Sequence, residues 1–143
     1  MKNILVLTAI ALISIIGLVG CGEDTGWTKV ADDDSRLEAA REQARETYPD
    51  FLKALKTRKP YDAATVEVFY QGTEYIMVTV IKADEDEIMG VVASYPQKVS
   101  LQKGAEVTVP VSDLSDWVID KDDGETLGGY VQAERARLTK PGN

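Results

Sequence analysis

The sequence predicts an α+β fold, in which N-terminal helices pack on an antiparallel sheet of about five strands and a short C-terminal helix follows. Two changes in hydrophobic period carry this prediction. Apolar residues recur at helical spacing from Ser35 to Pro60, alternate at the two-residue period of strands from residue 64, and return to helical spacing at Tyr130. A run of helices followed by a run of strands is typical of α+β domains.

The first predicted helix begins at Ser35. Ser35 and Glu38 form a capping-box pattern in front of the helix-favouring run "RLEAAREQARETY". The apolar residues of this run recur at helical spacing, namely Leu37, Ala40, Ala44 and Tyr48. Pro49 is expected to break this helix or to start a second one as its first residue, and Pro60 closes the helical part of the chain.

Strand patterns separated by turn residues follow Pro60. The strand-like segments are "ATVEVFYQ" (64–71), "EYIMVTVIK" (74–82), "IMGVVASYP" (88–96), "EVTVPVS" (106–112), "DWVIDK" (116–121) and a short return strand "ETL" (125–127). The turn signals between them are Gly72-Thr73, "ADEDE" (83–87), Lys103-Gly104 and Asp123-Gly124. Gly90 is expected to mark a bulge or a point of close packing. These segments predict consecutive hairpins.

Residues 1–20 have the pattern of a bacterial lipoprotein signal peptide. Lys2 precedes an uninterrupted apolar and small run that ends at Gly20, as in export signals. The ending Leu18-Val19-Gly20-Cys21 resembles a lipobox, which implies cleavage between Gly20 and Cys21 and lipid attachment to Cys21. A retained membrane span is the alternative, because the run of 17 residues is close to the roughly 20 that cross a bilayer.

The predicted mature protein is exported and anchored by its lipid on the periplasmic face. Cys21 is the only cysteine, so lipidation also accounts for a thiol that has no disulfide partner. Gly22 rather than aspartate follows it, which favours the outer over the inner membrane. We expect a lipidated cysteine and flexible acidic tether over residues 21–34, one domain over 35–139 and a disordered tail over 140–143.

Charge and composition exclude several classes of function. Removal of residues 1–20 takes away only Lys2 among the charged residues, which leaves 24 acidic and 15 basic side chains and a net charge of −9. Such an acidic domain disfavours nucleic acid as a partner. The chain has no histidine, which excludes sites that depend on imidazole. No cofactor is indicated, and the expected partners are the membrane, through the lipid, and an envelope protein or glycan.

The stretch "SDLSDWVIDKDDGETLGGY" (112–130) supports three chemical hypotheses. A calcium loop fails on register, because placing Gly124 at the sixth position of an EF-hand puts Ile119 at the first and Lys121 at the third. No metal site is therefore predicted. An anion site is the second hypothesis, since Gly128-Gly129 before a helix leaves backbone N–H groups free for phosphate or carboxylate. A sharp turn or close packing explains the glycines better.

Paired carboxylates are the third hypothesis. Asp113 with Asp116, or Glu67 with Glu74 across the first hairpin, could perform acid–base chemistry on a glycan. The spacing is not diagnostic, because chance pairs are expected everywhere in a chain with 24 acidic residues. Capping of a local turn in "VSDLSDW" is the better explanation of Asp113 and Asp116. No catalytic residue is assigned.

Five pieces of the chain, in order, resemble the YegJ-like bacterial domains catalogued as domain of unknown function 2314: "ETYPDFLKAL", "EYIMVTVI", "IMGVVAS", "LQKGAEVTVPVSDLSDWVI" and "DDGETLGGY". The resemblance covers about residues 36 to 138. Its most specific residues are Lys103-Gly104, Val107, Pro110, Asp116-Trp117 and Gly128-Gly129-Tyr130. It implies a small α+β domain with a curved antiparallel sheet in proteins that are often exported, with no established activity to transfer. The segment "YVQAERARL" departs from the more β-like or basic pattern expected in relatives.

The leading functional hypothesis is a lipid-anchored, envelope-facing binding or interaction module. Its candidate binding groove consists of Asp116, Trp117, Gly128, Gly129 and Tyr130. The alternatives are a carboxylate-dependent hydrolase or lyase acting on envelope glycan or peptidoglycan, and a structural or accessory envelope protein. Two carboxylates roughly 5 to 9.5 Å apart in a cleft would favour the enzyme. An apolar groove beside the tryptophan would favour the module, and the absence of a cleft would favour the accessory role.

Overall fold

A computed structural model describes residues 30–140 of the chain. The elements, in chain order, are α1 (Ser35–Glu46), α2 (Tyr48–Thr57), β1 (Ala63–Tyr70), β2 (Glu74–Ala83), β3 (Glu87–Val92), β4 (Glu106–Pro110), a 3₁₀ turn (Val111–Asp113), β5 (Leu114–Asp120), β6 (Thr126–Gly128) and α3 (Tyr130–Thr139). The predicted signal peptide, lipid-attachment residue Cys21, tether residues 21–29 and tail residues 141–143 lie outside the described residues.

The six strands form one antiparallel sheet in the order β4-β3-β2-β1-β5-β6. The α+β fold class is therefore confirmed. The predicted count of about five strands is one too low, because the three-residue β6 pairs with β5 across the Asp123-Gly124 turn. β5 does not stay beside β4, its predecessor in the chain, but pairs with β1. This pairing brings residues from the two halves of the domain together.

One face of the sheet packs against α2 and the Ala44 end of α1 to form the main hydrophobic core. Alternate residues of each strand point to this face, so that Val66 of β1 lies in register with Val78 of β2 and Trp117 of β5. Phe51 of α2 is completely buried against this layer, and its ring centroid lies 5.5 Å from that of Trp117. Burial of a side chain of this size contributes about 1.5–3 kcal/mol to stability.

α1 begins at Ser35, as predicted, but its cap differs from the predicted capping box. Asp34 rather than Ser35 is the N-cap, and its Oδ1 accepts a hydrogen bond of 2.9 Å from the backbone N–H of Arg36. Glu38 does not reach back to the cap, because its carboxylate pairs with Arg41 and Arg45. Aspartate caps as well as serine does, and the preceding acid takes the position here.

α3 lies against the opposite face of the sheet. Glu67 of β1 and Asp116 of β5 are register partners, so their side chains point to the same face, away from the main core. Arg135 of α3 pairs with Glu67, and α3 packs against α1 and β5. β5 is consequently buried on both faces from Leu114 to Ile119. No helix within residues 30–140 is long and apolar enough to cross a membrane.

Candidate functional site

The carboxylate of Asp116 caps the N-terminus of α3. Its Oδ1 accepts hydrogen bonds from the backbone N–H groups of Trp117 (3.0 Å) and Tyr130 (3.1 Å), and its Oδ2 accepts from Val131 (2.9 Å) and Gln132 (3.1 Å). The N-cap residue itself, Gly129, has no side chain to do this. The backbone N–H groups that were considered from the sequence as an anion site are therefore occupied by the protein's own carboxylate.

The electrostatic environment of Asp116 has opposing parts. Burial raises the pKa of its carboxyl above the ordinary value, while the backbone N–H groups of Gln132, Trp117 and Tyr130 act in the lowering direction, and the nearby Glu67 adds to the rise. The helix dipole also favours the charged form at this position. Asp116 is thus a buried hydrogen-bond acceptor with a structural role, and its hydrogen bonds offset only part of the free-energy cost of burying its charge.

Close packing explains the glycine pair. Gly128 has φ 75°, and a Cβ built on it would lie 2.1 Å from the carbonyl oxygen of Trp117 and 2.5 Å from Cε3 of its indole ring. Gly129, with φ 74°, donates its N–H to the same carbonyl at 2.8 Å. Both residues occupy the left-handed region that favours glycine. The chain therefore passes directly over the Trp117 backbone before α3 begins.

Trp117 fills the core. Its side chain is buried, and its Nε1–H donates to the carbonyl of Ala44 at 3.1 Å and to Oγ1 of Thr47 at 3.2 Å. The ring of Tyr130, which is half-buried, meets the indole edge-on at a centroid distance of 5.9 Å. The structure thus brings together all five residues of the candidate groove, and their contacts are those of packing and of backbone capping.

A separate polar cleft of about 700 Å³ lies on the face of the sheet that carries Glu67 and Tyr75. We call it the arginine cleft. Its lining residues are Asp32, Asp33, Glu38, Arg41, Glu67, Phe69, Thr73, Glu74, Tyr75, Lys98 and Arg135. Volumes of this size are typical of sites for small ligands.

Arg41 of α1 is the most unusual residue of the arginine cleft. It is only 3% exposed, and its guanidinium Cζ lies 5.0 Å from the centroid of the Tyr75 ring, a cation–π distance. Nη1 donates to Glu38 at 3.2 Å. Nε and Nη2 are buried and have no hydrogen-bond partner within residues 30–140. Such unpaired buried donors are rare in proteins.

Glu67 is held from both sides. Its Oε1 accepts a hydrogen bond of 2.7 Å from Ser115 Oγ, and its Oε2 pairs with Nη1 of Arg135 at 2.6 Å. The register of β1 with β5 shifts between Glu67 and Val68, so Ser115 is the additional residue of a bulge and its hydroxyl reaches the glutamate. Arg135 also lies over Tyr75, with Cζ 5.7 Å from the ring centroid.

The carboxylate pairs considered from the sequence have different positions. Glu67 and Glu74 line the same cleft. Glu74 accepts hydrogen bonds from the backbone N–H groups of Lys98 (2.7 Å) and Gln97 (2.9 Å), and these bonds lower its pKa. Asp113 is half-buried in the 3₁₀ turn and does not share the capping role of Asp116. Within residues 30–140 no group of three acidic or cysteine side chains has metal-binding spacing.

Glu67 and Glu74 are the cleft residues that were named from the sequence, and Arg41 was missed although its position carries a signal. Arg41 lies four residues after Leu37 and three before Ala44, and thus on the apolar face of the predicted first helix. An arginine in the middle of such a face is a signal of a buried charge. Tyr75 and Arg135 carried no comparable signal, because their proximity depends on the order of strands in the sheet.

The fold and the cleft define a small α+β domain with one six-stranded antiparallel sheet and a polar, arginine-containing cleft beside it. Residues 34–141 match the model of the family described as "Uncharacterized protein conserved in bacteria (DUF2314)". The match covers well over half of the chain, so the protein belongs to this family, as the sequence resemblance implied. No curated protein and no solved structure matches the chain.

Proposed function

We propose that this protein is a lipid-anchored, envelope-facing binding module that holds its ligand in the arginine cleft. The observation that carries the proposal is the buried guanidinium of Arg41 at the wall of a cleft of about 700 Å³, two donors of which have no partner within the described residues 30–140. A buried charge is costly unless its hydrogen bonds are made. Retention of unpaired donors at a cleft is therefore best explained by a ligand that completes them.

The position of the tether supports the same proposal. Asp32 and Asp33, the last residues before the N-cap of α1, line the arginine cleft. The predicted tether of residues 22–34 would span about 20 Å as a random coil. The cleft would accordingly lie at the anchored end of the domain, close to the membrane surface.

The engagement of Glu67 and Asp116 supports binding over catalysis by the carboxylate pairs that were considered from the sequence. Both oxygens of Glu67 accept hydrogen bonds from other side chains, and both oxygens of Asp116 accept from backbone N–H groups. A general acid or nucleophile needs an oxygen that can reach substrate. Hydrolysis or lysis of an envelope glycan would require these structural bonds to break first.

Lipid anchoring has a direct test in living bacteria. Cells that express the full chain are fed an alkyne-bearing fatty acid, and the protein is probed for label. We expect labelling of the parent protein and complete loss of label in Cys21→Ala. An unlabelled parent, or label that survives the substitution, would refute the anchor without bearing on the cleft.

Occupancy of the cleft is tested by photocrosslinking in the same cells. A photoreactive phenylalanine derivative replaces Thr73, which is exposed and lines the cleft, or, as the matched control, Tyr61, which is exposed and lies outside it. We expect the variant with the photoreactive residue at position 73 to form a crosslinked adduct and the variant at position 61 to form much less. Addition of Arg41→Lys to the position-73 variant should abolish the adduct. Equal crosslinking at both positions, or none at Thr73, would overturn the binding proposal.

A further inference from the structure

We infer, on the basis of the proposed function, that the arginine cleft binds a zwitterionic ligand of amino-acid or short-peptide size. The carboxylate of this ligand would lie on Arg41 and its ammonium group at the acidic rim formed by Asp32 and Asp33. Three features of the cleft carry this assignment: the free edge of the guanidinium, the balance of charge around it, and the aromatic wall.

The free edge of Arg41 matches a carboxylate. Nε and Nη2, which have no hydrogen-bond partner within residues 30–140, lie side by side along one edge of the planar guanidinium, whereas Nη1 is the donor that Glu38 uses. Both atoms are buried, so a carboxylate reaches them only when neighbouring side chains of the cleft move aside. Two parallel N–H groups of this kind bind the two oxygens of a carboxylate or phosphate simultaneously. The stacking of the guanidinium on Tyr75 fixes its plane, so little side-chain freedom is lost on binding.

The net charge of the cleft favours a neutral zwitterion over a dianionic phosphate as the ligand. Five acidic and three basic residues line it, which gives a formal charge of −2. A dianionic phosphate would be repelled by this surplus of negative charge. A ligand with one carboxylate and one ammonium group is neutral overall, and it can place its positive end among the acids.

Asp32 and Asp33 are the acids available for an ammonium group. Glu38, Glu67 and Glu74 already accept hydrogen bonds from other groups of the domain. Among the described residues, Asp32 contributes only a long ion pair of 3.9 Å with Arg135, and its side chain is 70% exposed. Asp33 is exposed beside it. The positive end of the ligand is therefore expected at this rim.

The remaining wall is aromatic. Phe69 and Tyr75 are register partners on β1 and β2, and their ring centroids lie 4.7 Å apart. Phe69 is 38% exposed. The two rings offer an apolar surface to the side chains of a bound amino acid or peptide. The cleft volume of about 700 Å³ accommodates a dipeptide.

Four probes test the charge requirement with the lipidated full chain in detergent micelles. They are dialanine, its C-terminal amide, its N-acetyl derivative and inorganic phosphate, each titrated while the Nε–H resonance of Arg41 is followed by NMR. We expect dialanine to shift this resonance, and amidation to weaken binding at least about tenfold through loss of the bidentate contact. Acetylation should weaken it about threefold to tenfold, and phosphate should bind more weakly than dialanine.

Variants separate the two ends of the ligand. Arg41→Lys keeps the charge without the two-donor edge and should weaken dialanine binding at least about tenfold. Arg45→Lys, in the same helix and also paired with Glu38 but outside the cleft lining, should leave binding within about twofold. If Arg41→Lys does not fold, Asp33→Asn at the exposed rim still tests the proposal. This substitution should weaken the binding of dialanine and leave the binding of the acetylated peptide unchanged.

The outcomes distinguish the ligand class from the function. Phosphate or acetylated peptide binding as tightly as dialanine would overturn the zwitterion assignment, as would binding that leaves the Arg41 resonance unmoved. Crosslinking at Thr73 in cells, combined with no dialanine binding, would overturn the ligand class and leave the binding module standing. No crosslinking and no binding would overturn both.

Discussion

Replacement of Asp116 by asparagine is expected to destabilise the domain by about 3 kcal/mol. The carboxylate is buried and accepts four backbone hydrogen bonds, two on each oxygen. Asparagine keeps one acceptor oxygen and turns an NH₂ group towards two N–H donors, so two bonds to a charged acceptor are lost at about 1.5–3 kcal/mol each. Relief of the carboxylate's desolvation, which raises its pKa, offsets part of this loss.

The assay is urea unfolding followed by tryptophan fluorescence and far-ultraviolet circular dichroism. For a slope of about 1.5 kcal/mol per molar urea, the expected loss moves the midpoint by about 2 M. Asp113→Asn is the matched control, since Asp113 lies three residues earlier and is half-buried, and its side chain contacts Ser112 Oγ only at 3.5 Å. It should change stability by less than about 0.5 kcal/mol. An equally small effect of Asp116→Asn would refute the capping role.

Four further substitutions, one of them a control, have defined outcomes. Gly128→Ala should abolish the folded state in thermal unfolding because its Cβ would overlap the Trp117 carbonyl, whereas Gly124→Ala, with φ 89° and open space around it, should cost about 1–2 kcal/mol. Trp117→Phe should cost about 2–3 kcal/mol by urea unfolding, since two acceptors lose their donor. Hydrogen bonds from Arg36 lower the pKa of Asp34 from 3.8 to about 2. Its stabilising contribution is therefore present above pH 3.8 and lost as the pH falls towards 2, and Asp34→Asn should flatten acid unfolding in that window, as measured by circular dichroism.

Local patterns predicted the elements well where hydrophobic alternation and turn residues agree. The third strand is an instructive exception, since the pattern predicted residues 88–96 and the strand ends at Val92. Beyond it, Tyr95 is 72% exposed, and the N–H groups of Gln97 and Lys98 are taken by the side chain of Glu74. Nearer the end of the strand, the N–H of Met77 donates to Ser94 Oγ at 3.1 Å. A side-chain acceptor thus replaces the backbone acceptor that a longer third strand would supply, and the hydrophobic period of the sequence does not indicate this.

The roles of the acidic residues depend on contacts between distant parts of the chain. The sequence favoured a local turn cap for Asp116, and the carboxylate instead caps a helix that begins 14 residues later. Glu67 pairs with Ser115 and Arg135, which lie 48 and 68 residues away. Both contacts follow from the insertion of β1 between β2 and β5, a topological fact that composition and spacing do not contain.

Arg41 is expected to contribute little to the stability of the fold and much to ligand binding, so one substitution can distinguish a structural role from a binding role. The hydrogen bonds among the described residues satisfy Asp116 and Glu67 but leave one edge of the Arg41 guanidinium unpaired. Its ion-pair partner Glu38 is 57% exposed on its side chain, so removal of the arginine strands no buried negative charge. Replacement of a poorly satisfied buried charge by an apolar side chain is often neutral or stabilising by about 1–4 kcal/mol.

Arg41→Met is therefore expected to leave the free energy of unfolding unchanged or to raise it by about 1–2 kcal/mol, while abolishing ligand binding in the cleft. Urea unfolding of the variant and the parent, in parallel with dialanine titration, measures both quantities. Arg135→Met is the contrasting variant, because it leaves Glu67 buried without its ion pair and should cost about 3 kcal/mol. A loss of comparable size in Arg41→Met would mean that Arg41 serves the fold, and the case for a ligand on its free edge would fail.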